Sequence, residues 1–304
     1  MQRFQSLGVN NLEKKLSYTY FPGCSVKGMH KSYDVSTKIV SQTLGIELKE
    51  LVDWNCCGAT AYMSVDELKS FILSTRNLAL AEKEGMDIVT ICAACYNVLN
   101  KSNHYFNSDP SLRKSLIEGL AAANLTYYGK VKVRHILDVI LNDVGEEAVR
   151  SKVVKPLKGL KVAPYYGCLI NRPKEMFDDP ETPESMHHIL GWAGADVIDF
   201  PAKTKCCGST ITIANEEVGS KLLRDIIFNA KDNGAEVLAV ACPFCQLNLD
   251  VYQQKMWKRY GSDIKLPAVY FTQILGLSFG LSPKQLDLGK EIVPIEEVLA
   301  KISR

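Results

Sequence analysis

Asn55-Cys56-Cys57-Gly58 returns 150 residues later as Lys205-Cys206-Cys207-Gly208. Downstream, Cys92-Ala93-Ala94-Cys95 is answered by Cys242-Pro243-Phe244-Cys245 at the same shift. Upstream, Phe21-Pro22-Gly23-Cys24 is answered by Tyr165-Tyr166-Gly167-Cys168. Here the spacing relaxes: 31 residues separate Cys24 from Cys56 and 37 separate Cys168 from Cys206. The two sets use all ten cysteines of the 304-residue chain. An internal duplication explains this pattern, with residues 1–152 as one half, 153–304 as the other, and the join near Lys155-Pro156.

The segments between the cysteines repeat too. Strand patterns at 18–21 and 161–165 run into the two Gly-Cys pairs. Helical patterns follow at 32–44 and 183–192, then strands at 46–52 and 196–200 that lead to the Cys-Cys pairs. Ser64 with Glu67 reads as a capping box that opens a helix with Leu68, Phe71, Ile72, Thr75 and Ala79 on one face. Asn215 reads as the cap of its counterpart, with Val218, Leu222, Ile226 and Ala230 in a stripe. Gly85 and Gly234 are fitting stops. Strands at 87–91 and 236–240 then end at the Cys-x-x-Cys motifs. Alternating strand and helix predicts an α/β fold: two similar halves of parallel βαβ units, each with its cysteines at strand carboxyl ends, where open sheets of this class place their sites.

Composition narrows the function. With 46% hydrophobic residues, 23% charged residues and a formal net charge of +2, nothing favours nucleic acid or an anionic membrane as partner. The N-terminal stretch lacks the apolar core of a signal peptide, and no apolar run is long enough to span a bilayer. The apolar segment 271–281 reads as a core helix. A cytoplasmic location follows as the expectation. Thiols stay reduced there, so metal or redox chemistry, not a disulfide framework, is the expected role of ten cysteines. Zinc and iron both take Cys-x-x-Cys. A closed tetrahedral site needs only four thiolates, and each set has five, two of them adjacent. An open, irregular cluster suits that number better, and zinc in one half is the alternative.

The pattern Cys, Cys-Cys-Gly, Cys-x-x-Cys, given twice, resembles the duplicated cysteine-rich CCG domain of the disulfide-handling, B-type subunit of heterodisulfide reductase. The likeness covers about residues 18–281 and includes Asp-Trp-Asn-Cys-Cys-Gly-Ala-Thr-Ala at 53–61, Phe-Asp-Asp-Pro at 177–180 and Tyr-Phe-Thr-Gln-Ile-Leu-Gly-Leu at 270–277. The resemblance implies two non-cubane [4Fe-4S] clusters, one on Cys24, Cys56, Cys57, Cys92 and Cys95, the other on Cys168, Cys206, Cys207, Cys242 and Cys245. It further implies a small disulfide or thiol substrate between them, opened by paired one-electron transfers. There is no ferredoxin-type cysteine run and no Gly-x-Gly-x-x-Gly. That argues against the fused iron–sulfur subunits of glycolate oxidase type. It also implies two kinds of partner from the same family of complexes, a ferredoxin-like (C-type) subunit and a flavoprotein (A-type) subunit. The competing reading is a non-catalytic electron-relay or zinc-containing scaffold protein of a larger oxidoreductase.

His135 opens the apolar run Ile136, Leu137, Val139, Ile140, and Tyr270 opens the matching run in the second half. Both are candidate proton donors to a leaving thiolate, and helix capping or core packing is the alternative for each. His30 is a weaker candidate, and His187 and His188 read as structural or exposed. Lys27, Arg172, Lys203 and Lys205 flank cluster cysteines. They can hold an anionic thiol, offset thiolate charge, or form a solvated face. Pro243 removes an N–H that Ala93 retains, which can set the two clusters apart in potential.

Overall fold

A computed structural model describes residues 16–59, 61–172, 177–261 and 264–302. The N-terminal stretch read for a signal peptide lies almost wholly outside these residues. Two four-stranded parallel sheets carry the fold. The first has the order β2-β1-β3-β4, from β1 (Leu16–Phe21), β2 (Ile46–Glu50), β3 (Ile88–Thr90) and β4 (Val133–His135). The second repeats it as β6-β5-β7-β8, from β5 (Lys161–Tyr165), β6 (Asp196–Val197), β7 (Val237–Val240) and β8 (Ala268–Tyr270). The central strands are buried, Tyr20, Phe21, Val89, Ala163, Tyr165 and Val240 among them, as befits parallel strands covered on both faces.

Several elements differ from the sequence reading. The expected strand at 196–200 pairs only through Val197. Ile198 N–H still donates to Val162 O at 2.8 Å. Beyond it Asp199 accepts from Lys203 Nζ, and Pro201, which has no N–H, opens a turn. The capping box at Ser64 gives way to a simpler cap. Residues 61–65 form their own short helix α2 (Ala61–Val65), and α3 (Glu67–Lys83) is capped by Asp66, whose side chain accepts from Lys69 N–H at 3.0 Å. Glu67 thereby becomes the first helical residue instead of the third, and Leu68 turns towards solvent while Phe71, Thr75, Leu78 and Ala79 stay buried. Asn215 does cap α10 (Glu216–Asp232), accepting from Val218 N–H at 3.1 Å. Val218 itself is exposed, and Leu223, Ile226, Ile227 and Ala230 make the buried stripe.

The first helix of each sheet unit packs against the last helices of the other. α1 (Lys31–Thr43) lies on α13 (Phe271–Ser278). There the Tyr33 ring stacks on Tyr270 at 4.0 Å between centroids, and Ser36 Oγ and Thr272 Oγ1 are hydrogen-bonded at 2.8 Å. α8 (Ser185–Trp192) lies in turn against α6 (Ile136–Val139), the π-turn Ile140–Val144 and α7 (Gly145–Lys152). α13 is buried throughout, as the apolar run 271–281 predicts.

Replacing Asn215 by Ala removes one cap acceptor at the α10 N-terminus. A stability loss of about 1 kcal/mol in denaturant unfolding, restored by Asn215→Ser, is the expected result.

Candidate functional site

Each cysteine group stands at the carboxyl edge of its sheet. β1 and β5 end three residues before Cys24 and Cys168, and β3 and β7 end two residues before Cys92 and Cys242. Gly23 and Gly167 make the approach possible. Both have positive φ (78° and 69°), and a Cβ on either would stand 3.1 Å from the sulfur of Cys95 or Cys245. The Gly-Cys dipeptide of each half is therefore shaped by the distant Cys-x-x-Cys of the same half. Amide side chains brace the Cys-Cys turns. Asn77 pairs with the backbone of Asn55 (2.9 and 3.0 Å), and Asn248 Nδ2 donates to Cys207 O at 2.7 Å. No local sequence signal marks either Asn, because each acts from a helix remote in sequence.

The thiols divide in the same way in both halves. Cys57, Cys92 and Cys95 are buried in the first and Cys207, Cys242 and Cys245 in the second; Cys24, Cys56, Cys168 and Cys206 lie further out. Cys57 Sγ is 3.1 Å from Cys95 Sγ, and Cys24 Sγ is 3.9 Å from Cys56 Sγ. The two halves also approach one another through their thiols, since the Cys92 and Cys242 side chains lie close enough for each to shift the other's charge state. These two cysteines cap facing helices, α4 (Ala93–Ser108) and α11 (Pro243–Val251). All five cysteines of the second set line one recess of ≈ 50 Å³, whose wall is completed by Ala93 and Ala94 of the first half and Phe244 of the second. A wider hollow between Pro201 and Asp232, ≈ 490 Å³, contains no thiol.

Sharing protons divides the thiols electrostatically. The S–H of Cys24, then that of Cys57, stabilises a thiolate at Cys56, whose pKa is lowered, and Cys168 lowers Cys206 to about 6. Cys242 is also held down, by the thiol of Cys245, then that of Cys92, and by the backbone N–H groups of Cys245 and Phe244 at the start of α11. Cys24, Cys92 and Cys168 are raised, chiefly by Cys56, Cys242 and Cys206, the thiols held down beside them, and Cys57, Cys95 and Cys245 are raised as well, chiefly by the neighbouring cysteines Cys56, Cys57 and Cys207. Pro243 sits at the first helical position, where its missing N–H costs no helix bond, and the amides that reach Cys242 are those further on.

Among the described residues no three His, Cys, Asp or Glu side chains close around a point as they would for a single ion. An outer pair and an inner triad beside a recess instead fit a polynuclear iron–sulfur group, which would share the thiolates among several irons. Cys24, Cys56, Cys57, Cys92 and Cys95 would hold one group and Cys168, Cys206, Cys207, Cys242 and Cys245 the other.

The remaining candidates fall into place around this interior. His135 ends β4 and caps α6: its Nδ1 accepts from Leu137 N–H at 3.2 Å. Tyr270 ends β8 and opens α13, and its Oη is bonded to His30 Nδ1 at 2.9 Å, tying the halves together. His135 thus carries the capping duty weighed as its alternative, while Tyr270 is a buried residue whose backbone N–H donates to Gln273 Oε1 at 2.9 Å. His187 bonds Tyr166 Oη at 2.8 Å, and His188 is exposed beside Glu184. Lys27, Arg172 and Lys203 are each paired with a carboxylate (Glu50, Glu181 and Asp199), so the flanking charge is largely answered locally. Sequence reasoning missed Tyr33. It lies on a predicted helix like any other core residue, yet it is fully buried beside Tyr270 with its hydroxyl unpartnered among the described residues.

Burial lowers the His135 pKa from 6.5 to about 4. The unfolded chain then binds a proton that the fold refuses, so the metal-free protein is expected to lose stability as pH falls from about 6.5 towards about 4 and to keep this contribution in full above that window. His30 and His187, lowered mainly by burial, act in the same sense. Urea unfolding across the window should show a shallower pH slope for His135→Asn, which retains a cap acceptor; equal slopes would refute the assignment.

Comparison with known proteins agrees with this site. The cysteine-rich CCG domain matches residues 18–100 and again 162–250. The chain is 32% identical to the 8-methylmenaquinol:fumarate reductase membrane anchor subunit of Wolinella succinogenes over 91% of this chain and 96% of that one. It is 30% identical to the B-type subunit of the ferredoxin/F420H2-dependent CoB-CoM heterodisulfide reductase of Methanosarcina acetivorans, over 93% and 95%. A hypothetical protein from Helicobacter pylori shares the fold at a TM-score of 0.73 with 17% identity, over 92% of this chain and 52% of that one. With both five-cysteine sets in place, the chain belongs to the family of the B-type heterodisulfide reductase subunits, carrying its CCG cysteine-rich domain twice.

Proposed function

We propose that the protein is the catalytic subunit of a heterodisulfide-reductase-like complex, with residues 1–152 and 153–304 as its two cluster-binding halves and a non-cubane [4Fe-4S] cluster on each cysteine set. The observation that carries this reading is the meeting of Cys92 and Cys242. Two five-thiol sites whose Cys92 and Cys242 side chains lie within each other's electrostatic reach can act on a single small molecule at once. Reducing RS–SR′ to RSH and R′SH takes two electrons and two protons. When bound, the clusters supply the electrons, one from each half.

The chain's own residues do the rest. The recess lined by the second cysteine set would hold that half's cluster, and Ala93 and Ala94 at its wall bring the first Cys-x-x-Cys beside it. The Phe244 and Cys245 amides at the start of α11 stabilise negative charge on sulfur there. Electrons come from partner subunits of the ferredoxin-like and flavoprotein kinds, the chain offering no further cysteine run for a second type of centre. No helix of the described residues is long and apolar enough to cross a membrane. We place the complex in the cytoplasm with a small disulfide, thiol or persulfide as substrate.

A second reading draws on the Wolinella relative, which is named as part of a fumarate reductase. There the two sites relay electrons within a larger oxidoreductase and meet no thiol substrate. Anaerobic reconstitution with iron and sulfide separates the two. About four irons per half are expected, Cys57→Ser and Cys207→Ser each removing about half of the total. A paramagnetic signal altered by added thiol supports catalysis. A signal indifferent to every thiol supports relay, and a chain that binds only zinc supports a scaffold.

A further inference from the structure

Buried tyrosine hydroxyls in this protein find partners. Tyr20 donates to Asp34 at 2.8 Å and Tyr165 to Lys205 O at 2.6 Å, while Tyr166 bonds His187 at 2.8 Å and Tyr18 reaches Asp143. Tyr33 is the exception: it is fully buried, and its Oη has no partner among the described residues. Its ring cannot swing away, being stacked on Tyr270 at 4.0 Å and set edge-on to Phe271. His135 Nε2 is in the same position. Nδ1 is occupied as the acceptor of Leu137 N–H, so the neutral ring carries its proton on Nε2, fully buried and without a partner. The backbone of Ile91 and of Ala241 comes near the ring and favours a proton on it, but neither completes a hydrogen bond to Nε2.

Both groups lie beside the strand ends that run into Cys92 and Cys242. His135 is in register with Thr90, two residues before Cys92, and Tyr270, against which Tyr33 stacks, is in register with Val240, two residues before Cys242. Negative charge on Cys242 acts on both side chains, and charge on Cys92 and Cys245 acts on Tyr33 as well. Native folds rarely leave a buried donor unpaired, because its desolvation goes uncompensated. Two such donors, one from α1 and one from β4, beside the thiol–thiol contact of the two halves, describe a cradle for an anion that accepts from both.

We propose that the Cys92–Cys242 junction is a binding site for an anionic sulfur, with Tyr33 Oη–H and His135 Nε2–H as its two hydrogen-bond donors. This rests on the disulfide-handling reading and deepens it. The sulfur is either that of the substrate thiolate or a sulfur resident in the cluster. Tyr270 has no part in the cradle, since its hydroxyl is committed to His30. Its role is to hold the Tyr33 ring.

The test compares wild-type protein with Tyr33→Phe and His135→Asn after anaerobic iron–sulfide loading, titrating 2-mercaptoethanol against the paramagnetic signal. Phe keeps the stacked ring and Asn keeps an acceptor for the α6 cap, so both variants should fold and retain wild-type iron. If the sulfur is the substrate's, spectra without thiol coincide, and the half-saturating thiol concentration rises about tenfold in each variant, the size of one charge-assisted hydrogen bond. If it is resident, the spectra of both variants differ from wild type before any thiol is added. Full iron with unchanged spectra and unchanged thiol titration in both variants overturns the proposal. Wild-type protein that takes up no iron overturns the functional reading beneath it, so the two failures are told apart.

Discussion

The contact between the Cys92 and Cys242 side chains governs how the rest of the structure can be arranged. Each thiol is buried at the residue just before a helix, where unpaired amides favour a negative sulfur. Two thiolates cannot share that position without a counter-charge. In the metal-free chain the conflict is resolved by proton sharing, Cys242 held down and Cys92 raised. Ferric and ferrous iron would resolve it in another way, by replacing the shared protons with metal–thiolate bonds. The same alternation of raised and lowered thiols runs outward to Cys24–Cys56 and Cys168–Cys206.

Holding that contact requires the two sheets to face one another through their carboxyl edges, and the reciprocal packing of α1 on α13 and of α8 on α6–α7 supplies the constraint. Each sheet is completed by helices of the other, so neither edge is free to open without uncovering buried apolar surface. The Ser36–Thr272 and His30–Tyr270 hydrogen bonds add register to a contact that stacking alone would leave free to slide. This is how His30 and Tyr270, 240 positions apart in sequence, come to be bonded across the two halves.

Much of this was legible in the sequence because the chemistry that sets it is local. The shift of 150 between the Cys-Cys-Gly motifs marks the duplication, and the strand patterns before each cysteine group place the thiols at the sheet edges where they are found. The Asn215 cap is readable for the same reason, as one side chain acts three residues away. What escaped depends on distance. β4 and β8 are three residues long and too short to show a period. The 196–200 strand loses its second half to the Asp199–Lys203 turn. Tyr33 has nothing in its neighbours to separate it from an ordinary core tyrosine, since its distinction lies in hydrogen bonds it does not make to a half of the chain far away. Lys27, Arg172 and Lys203 flank the cysteines as expected, yet carboxylates contributed by the fold absorb their charge.

Duplication usually yields two equivalent sites, and here the surroundings have diverged while the thiols have not. At the end of the last strand of each sheet, the first half offers an imidazole whose Nε2 has no partner among the described residues, and the second a phenol bound to His30. The first Cys-x-x-Cys encloses two alanines, the second a proline and a phenylalanine that walls the recess. Hydrogen bonding and solvent access are the levers by which protein sets the potential of an iron–sulfur group. On the proposed function, clusters on two identical thiol sets in unlike surroundings would differ in how readily each gives up an electron. In the proposed reaction, which needs two electrons in succession at one sulfur–sulfur bond, such a difference would assign an order to the two halves, with the approach of Cys92 to Cys242 keeping the second within reach.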